Sequence, residues 1–122
     1  MIALRHCWHP VAYAAEVSDS PRAVDLLGRP LVLWRDAAGA AHVFDDLCVH
    51  RGTALSLGTV RGNELVCAYH GWRYGGDGAC TYIPQLAEPT QVPARARTAA
   101  HRCTERYGLV WVALEEPRWP LP

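Results

Sequence analysis

Two short segments of the chain each combine one cysteine with one histidine. His50 follows Cys48 by two positions and His70 follows Cys67 by three, a pattern written C-x-H-x16-C-x2-H. Thiolate sulfur and imidazole nitrogen are the side-chain atoms that most often bind iron and zinc in proteins. The spacing therefore predicts one metal site to which two loops contribute a sulfur and a nitrogen each.

Two metal centres use such a ligand set. In one kind of [2Fe–2S] centre, two histidines replace two cysteines on one of the two irons. A structural zinc ion with two cysteines and two histidines is the alternative. Zinc fingers usually place both cysteines in one loop and both histidines on another element, whereas the two residue types alternate here. The alternation favours the iron-sulfur centre and leaves zinc as the second interpretation.

The pattern and its neighbours resemble a known family. C-x-H-x16-C-x2-H is similar to the Rieske iron-sulfur motif, and the flanking sequences HRG at 50–52 and YHGWRY at 69–74 narrow the resemblance. They resemble the N-terminal Rieske domain of ring-hydroxylating, non-haem iron oxygenases. The opening WHPVA at 8–12 is also similar to the start of those domains. The resemblance extends from position 8 to about position 117.

The resemblance implies a cofactor and its ligands. A Rieske-type [2Fe–2S] cluster would be held by Cys48 and Cys67 on the inner iron and by His50 and His70 on the outer iron. A neutral imidazole adds no negative charge, so the added electron is expected on the histidine-ligated iron. Reduction should also raise the proton affinity of the imidazoles, which couples electron and proton movement.

The resemblance also implies a function and partners. The domain would take electrons from a reductase or ferredoxin and pass them to a mononuclear iron in a catalytic domain that these 122 residues do not contain. It would then be the electron-entry domain of an oxygenase that hydroxylates or demethylates aromatic or related rings. The chain would be an excised domain or a split subunit, and we assign it no catalytic residue. The alternative is a free-standing Rieske ferredoxin or a small electron-transfer subunit of a reductase.

Five residues around the predicted ligands carry further expectations. Gly52 and Gly71 are expected to let the backbone aim N–H groups at cluster sulfurs. Arg51, Arg73 and Tyr74 could shape a docking surface or bond the ligand cysteines, and plain packing or solvation is an equal alternative. The loops lack the additional cysteine pair of respiratory Rieske centres and their serine that bonds a sulfide. Because fewer hydrogen bonds then reach sulfur, we expect a reduction potential towards the bottom of the Rieske range.

Hairpins must position the two loops. β-branched and aromatic residues at 31–34 predict a buried strand, and a turn at 36–39 leads to its partner at 42–44. A second hairpin with a turn at 61–63 delivers Cys67. Further expected segments are a first strand at 11–17, a strand at 79–83, an irregular surface connection at 84–98, an edge strand at 100–107 and a strand buried on both faces at 109–114.

These short strands predict an all-β, Rieske-type fold of stacked small antiparallel sheets. We expect one domain over residues 1–122, with a small cluster-binding subdomain at about 46–84 inserted in a basal β-domain and supplying both loops. The 12 arginines balance the 12 acidic residues, so neither nucleic acid nor a membrane is an expected partner. Five cysteines do not suit a disulfide framework, and the chain shows no secretory signal, which together favour a soluble cytoplasmic protein. Cys7, Cys80 and Cys103 are expected to be small buried residues.

Overall fold

The computed structural model describes residues 2–48, 53–68, 71–86, 88 and 92–121. The described residues form ten strands in three antiparallel sheets. The strands are β1 (His9–Tyr13), β2 (Arg22–Leu26), β3 (Arg29–Arg35), β4 (Ala41–Asp45), β5 (Thr59–Arg61), β6 (Glu64–Val66), β7 (Arg73–Tyr74), β8 (Cys80–Tyr82), β9 (Arg102–Arg106) and β10 (Leu109–Ala113). The predicted all-β fold of small antiparallel sheets is therefore confirmed.

The sheets have the orders β1-β10-β9, β2-β3-β4 and β5-β6-β7-β8. Helix is confined, among the described residues, to one α-helical turn, α1 (Ile2–Arg5), and two 3-10 turns, Ala14–Glu16 and Leu55–Leu57. Across the described ranges, none of these helices has the length and apolar character that a membrane span requires.

The middle sheet, β2-β3-β4, separates two hydrophobic cores. Successive side chains of a strand point to opposite faces, so alternate residues of β3 enter different cores. Leu31 and Leu33 pack into an aliphatic core, whereas Val32 and Trp34 pack into a second, cysteine-side core, and all four are fully buried. The aliphatic core comprises Val17, Leu26, Leu31, Leu33, Val43, Val110, Val112 and Leu114. The cysteine-side core comprises Val32, Trp34, Phe44, Cys48, Leu55, Leu65, Cys67, Tyr74, Cys80, Ile83 and Ala96.

The strand predicted at 109–114 to be buried on both faces is fully buried on one face only. β10 buries Val110 and Val112 fully against the aliphatic core, but Leu109 and Trp111 on its other face are half-buried. The edge position predicted for 100–107 is right, because β9 is an outer strand of its sheet.

The predicted surface connection at 84–98 is wrong in its last part. The Cys80 amide donates to the Ala96 carbonyl at 2.8 Å, and the Thr98 amide donates to the Gly78 carbonyl at the same distance. The next residues bond to β4, where the Asp45 amide donates to the Ala99 carbonyl at 2.9 Å. Residues 96–101 thus join the four-stranded sheet to the middle sheet. Ala96 and Thr98 are buried as a result.

The first strand ends earlier than predicted. A Glu16 carboxylate oxygen accepts the Tyr13 amide at 3.1 Å, and the chain turns into a 3-10 helix. Arg35 donates to the carbonyls of Ala14 and Val17 at 3.0 and 2.8 Å, which gives these groups partners outside any sheet. A strand from 11 to 17 would have to give up these bonds.

Strand β2 is missing from the prediction because its turn is atypical. Leu27 and Gly28 both have positive φ, 53° and 81°, as in the two-residue turns that join tight hairpins. Leucine rarely occupies this left-handed region, so the pair does not look like a turn in the sequence. Tyr107 and Gly108 repeat the arrangement between β9 and β10, with φ of 59° and 73°.

Candidate metal centre

The two predicted cysteine ligands lie in the same buried environment. Cys48 follows the end of β4, and Cys67 directly follows β6. Each side chain is 1% exposed, and both belong to the cysteine-side core. Two strands from different sheets therefore deliver the two sulfurs to one core, as the hairpin prediction requires.

Each cysteine begins a six-residue loop that closes in the same way. The Cys48 amide donates to the Thr53 carbonyl at 2.7 Å, and the Cys67 amide donates to the Trp72 carbonyl at 2.8 Å. We call residues 48–53 the first ligand loop and residues 67–72 the second ligand loop. In sequence, His50 and His70 each fall between the two ends of one such closed loop.

The predicted histidine ligands, His50 and His70, lie outside the described residues, as do Arg51 and Gly52. Within the described ranges, no three histidine, cysteine, aspartate or glutamate side chains are grouped so as to hold a metal ion. The four-residue ligand set consequently stays a prediction, of which the structure places the two sulfur members.

Tyr74 contacts the first of these sulfurs. Its hydroxyl oxygen lies 3.0 Å from Cys48 Sγ, and both residues are buried. A metal-bound thiolate has no proton to give, so the tyrosine hydroxyl would be the donor when the sulfur carries a metal. Tyr74 is held in register by its pairing with Leu65 in β6. Of the two sequence interpretations of Tyr74, a bond to a ligand cysteine agrees with this contact.

Gly58 packs the segment that follows the first ligand loop against the residue that precedes the second, and the sequence interpretation missed it. A Cβ at position 58 would lie 2.0 Å from the carbonyl oxygen of Val66, the residue before Cys67. Only glycine permits this approach of the two backbones. Gly71, within the second loop, has a φ of 70°, in the left-handed region that favours glycine. A useful signal was available, since Gly58 is a glycine within the first strand of the hairpin predicted around the turn 61–63.

Two of the remaining cysteines, Cys80 and Cys103, have environments that favour the thiol over the thiolate. Burial raises the pKa of Cys80, and burial raises the pKa of Cys103 to about 11, further from neutrality than an ordinary thiol. Cys80 is buried in the cysteine-side core, while Cys7 and Cys103 are half-buried. The expectation of small buried residues holds for Cys80 and in part for the other two.

The described histidines bond to acceptors within the protein. His42 Nε2 donates to the Asp36 carboxylate and His101 Nε2 donates to the Asp45 carboxylate, each at 2.8 Å. The bond from His42 is the main cause that lowers the pKa of Asp36. Burial would raise the pKa of Asp45, but hydrogen bonds from Arg29 and His101 outweigh burial and lower it. These imidazoles therefore bond to one carboxylate in the turn between β3 and β4 and to one at the end of β4.

The described residues fit an iron-sulfur cluster. Two buried sulfurs in a largely apolar core, one of them beside a hydroxyl donor, would suit a cluster whose inner iron has thiolate ligands. Their positions in two equivalent loops also agree with this use. A zinc finger would instead place both cysteines in one loop.

Comparison with known proteins gives the same family. Residues 7–104 match the Rieske [2Fe-2S] domain. The chain is 42% identical over 119 residues to methylxanthine N1-demethylase NdmA of Pseudomonas putida, covering 92% of this chain and 33% of that protein. It is 36% identical over 115 residues to oxidoreductase NdmD of the same species, covering 90% and 19%. Among solved structures, dicamba monooxygenase bound to dicamba superimposes with a TM-score of 0.88 at 30% identity, covering 98% of this chain and 35% of that one.

The chain thus spans about a third of the length of NdmA and of dicamba monooxygenase, and it resembles the Rieske domain of such oxygenases. The match to the family covers more than three quarters of the sequence, and both described cysteines of the motif lie in it. The chain belongs to the Rieske [2Fe-2S] domain family, and its cofactor is a Rieske-type [2Fe–2S] cluster.

Proposed function

We propose that this domain transfers single electrons through a cluster bound by Cys48, Cys67, His50 and His70. The observation that carries the proposal is the pair of buried cysteines, each opening a loop closed by the same amide–carbonyl bond. Cys48 and Cys67 would hold the inner iron, because their side chains are withdrawn from solvent. His50 and His70 would hold the outer iron.

The cluster supplies one-electron redox chemistry when bound, and the protein controls its surroundings. Tyr74 places a hydroxyl beside Cys48 Sγ, where it would favour the more electron-rich state of the sulfur. Gly58 and the closing bonds of the two loops hold the ligand-bearing segments together. A neutral imidazole ligand can keep a proton on its other ring nitrogen and lose it on oxidation.

The domain would serve as the electron-entry part of a Rieske non-haem iron oxygenase. It would receive electrons from a reductase or ferredoxin and pass them to a mononuclear iron in a separate catalytic domain. The similarity to NdmA and to dicamba monooxygenase supports this role, because a demethylase and a monooxygenase each contain a domain like this one. The reaction would be hydroxylation or demethylation of aromatic or related rings, at a cytoplasmic location.

A second role is a free-standing ferredoxin or a small electron-transfer subunit of a reductase. The similarity to oxidoreductase NdmD favours it, since a related sequence occurs in a protein named for that general activity. The gene sequence beyond the codon for Pro122 separates the two roles. An open frame with two histidines and a carboxylate arranged for mononuclear iron supports the oxygenase. A stop codon with a separate reductase gene nearby supports the alternative.

We also propose that residues 46–84 form a cluster-binding subdomain within a basal β-domain over residues 1–122. The four-stranded sheet supports this division, because β5 to β8 pair only with one another among the ladders of the described strands. Both ligand loops fall inside these bounds. The basal part would comprise the two three-stranded sheets around the aliphatic core.

Electron paramagnetic resonance of the dithionite-reduced protein tests the proposed cofactor and ligands. A mixed nitrogen and sulfur ligand set gives a spectrum distinct from that of four cysteines, and zinc gives none. Replacing His70→Cys should lower the reduction potential and remove part of its pH dependence, because a thiolate adds negative charge and has no second ring nitrogen. An unchanged potential in that variant would contradict the assignment of the outer iron.

A further inference from the structure

The Asp46 carboxylate lies at the base of the first ligand loop, and the contacts described for it include no cationic partner. Asp46 Oδ1 accepts the Ser56 backbone amide at 2.6 Å, and Asp46 Oδ2 accepts the Ser56 hydroxyl at 2.6 Å. Both bonds are short and partly buried. A carboxylate that accepts two such bonds forms a stronger link than a bond between neutral groups.

These two bonds bracket the first ligand loop. Asp46 precedes Cys48 by two positions, and Ser56 follows Thr53 by three. The bond from the Cys48 amide to the Thr53 carbonyl lies inside this bracket. The described ends of this segment are therefore joined by two sets of hydrogen bonds, one inside the other, and each set restrains those ends.

Each side of the link is attached to a rigid part of the protein. The Asp46 amide donates to the Pro30 carbonyl at 3.1 Å, which ties it to β3. Ser56 lies between Leu55, which is fully buried in the cysteine-side core, and Leu57 of the same 3-10 turn. Gly58 then packs on the backbone next to Cys67. The Asp46–Ser56 link thus connects the middle sheet to the segment that contacts Val66, the residue before the second loop.

We propose that Asp46 and Ser56 are positioning residues that hold the first ligand loop in the geometry the cluster needs. The inference rests on the proposed function, since it takes Cys48 and His50 as ligands. The chain after the loop runs through irregular backbone at 53–54 and a 3-10 turn at 55–57. A side-chain link therefore holds the two ends of the first loop together, as strand pairing holds the ends of the second. Breaking it should let the loop open more often and expose the cluster.

Removing the hydroxyl tests this role in the cluster-loaded protein. Ser56→Ala keeps the carboxylate and the backbone bond but removes the second bond, and we expect cluster loss to an iron chelator to be about tenfold faster. We also expect a broader electron paramagnetic resonance line, because the ligands would sample more geometries. Ser56→Thr restores a hydroxyl and should return both measurements towards the wild-type values.

The matched control is Ser18→Ala. The Ser18 hydroxyl oxygen accepts the Ser20 amide at 3.1 Å in an exposed bend before β2, so this change also removes one local bond. Its cluster-loss rate should stay within about twofold of wild type, since a distant surface bond does not restrain the ligands. Asp46→Asn gives a second variant that keeps one acceptor oxygen, and it should lose the cluster at an intermediate rate.

The outcomes separate this inference from the proposed function. If the wild-type protein lacks the mixed-ligand spectrum, both the proposed function and this inference are contradicted. If wild type shows that spectrum but Ser56→Ala matches it in line width and cluster-loss rate, the inference alone is overturned. An equal change in Ser56→Thr and Ser56→Ala would also overturn it, because the hydroxyl would then have no specific role.

Discussion

The two ligand loops share a closing bond but differ in what supports their ends. The second loop connects β6 to β7, and these strands pair directly across its base, Val66 with Arg73 and Leu65 with Tyr74. The first loop leaves the middle sheet after β4 and enters a 3-10 turn. Its base is joined through the Asp46 carboxylate, and its exit rests on the four-stranded sheet at Gly58.

This difference indicates that the two loops have different sensitivities to mutation. A loop between paired strands takes its position from backbone hydrogen bonds, which do not depend on side-chain identity. A loop between a strand and a short 3-10 turn depends on a few particular side chains and on one glycine. We therefore expect mutations near the first loop to alter the metal centre more than mutations of similar size near the second.

Loss of either sulfur ligand should have the largest effect on cluster content. The effect should be the same whether the ligand lies in the first loop or in the second. Cys48→Ala and Cys67→Ala each remove a predicted ligand, so the purified protein should lack the [2Fe–2S] cluster. Iron and acid-labile sulfide analysis measures the result. The control is Cys80→Ala, which removes a buried thiol from the same core and should retain the cluster. A cluster retained in Cys67→Ala would contradict the ligand assignment.

Gly58→Ala should be the most damaging substitution that leaves all ligands in place. The added Cβ would lie 2.0 Å from the Val66 carbonyl oxygen, so one backbone must move, at a cost of about 3 kcal/mol in unfolding free energy. Denaturant unfolding measures this cost.

Gly62→Ala is the matched control for that experiment. Gly62 has a φ of 61°, and a Cβ there would meet nothing within 4 Å. Only backbone strain remains, so we expect a cost of about 1 kcal/mol. Equal costs at the two positions would show that the close approach of Gly58 to Val66 does not matter.

Tyr74→Phe should change the reduction potential of the cluster with little change in the free energy of unfolding. The Tyr74 hydroxyl lies 3.0 Å from Cys48 Sγ, and a hydrogen bond from it to a cluster-bound sulfur would stabilise the reduced cluster more than the oxidised one. Its removal should lower the reduction potential by about 40 mV, which corresponds to roughly 1 kcal/mol for one electron. Protein-film voltammetry measures the shift. Tyr13→Phe changes an exposed tyrosine of β1 and should leave the potential unaltered.

Glu105→Gln should have the smallest effect, confined to the contact between β3 and β9. Arg35 donates to both Glu105 carboxylate oxygens at 2.9 Å, and this bond lowers the pKa of Glu105. Because the carboxylate is more than a third exposed, solvent screening reduces its contribution to about 0.5 kcal/mol. The reduction potential should not change.

The pH dependence of that variant follows from the direction of the shift. A lowered folded-state pKa stabilises the protein above the unfolded value of 4.5, and the contribution is lost as the pH falls through the folded-state pKa. The difference in unfolding free energy between wild type and Glu105→Gln should therefore be present at pH 7 and shrink below about pH 4. A difference that grows on acidification would contradict the role of the Arg35 pair.

The sequence was informative where local pattern and local structure coincide. The hairpin of β3 and β4 was predictable because β-branched and aromatic runs flank the polar turn 36–39. The strand β2 was not, because its turn uses Leu27 in a backbone region that leucine seldom adopts. The pairing of residues 96–101 was also not predictable, since those residues bond to partners more than fifteen positions away in the sequence.

The sequence by itself determined the chemistry of the metal centre, because ligand atoms and their spacing are properties of residue type and order. It also determined the family, through the motif and the residues around it. Only the tertiary structure decided which other residues serve the centre. Tyr74, Gly58 and Asp46 meet the ligand loops through packing and hydrogen bonds between segments that are separate in the chain, and residue order alone does not specify such contacts.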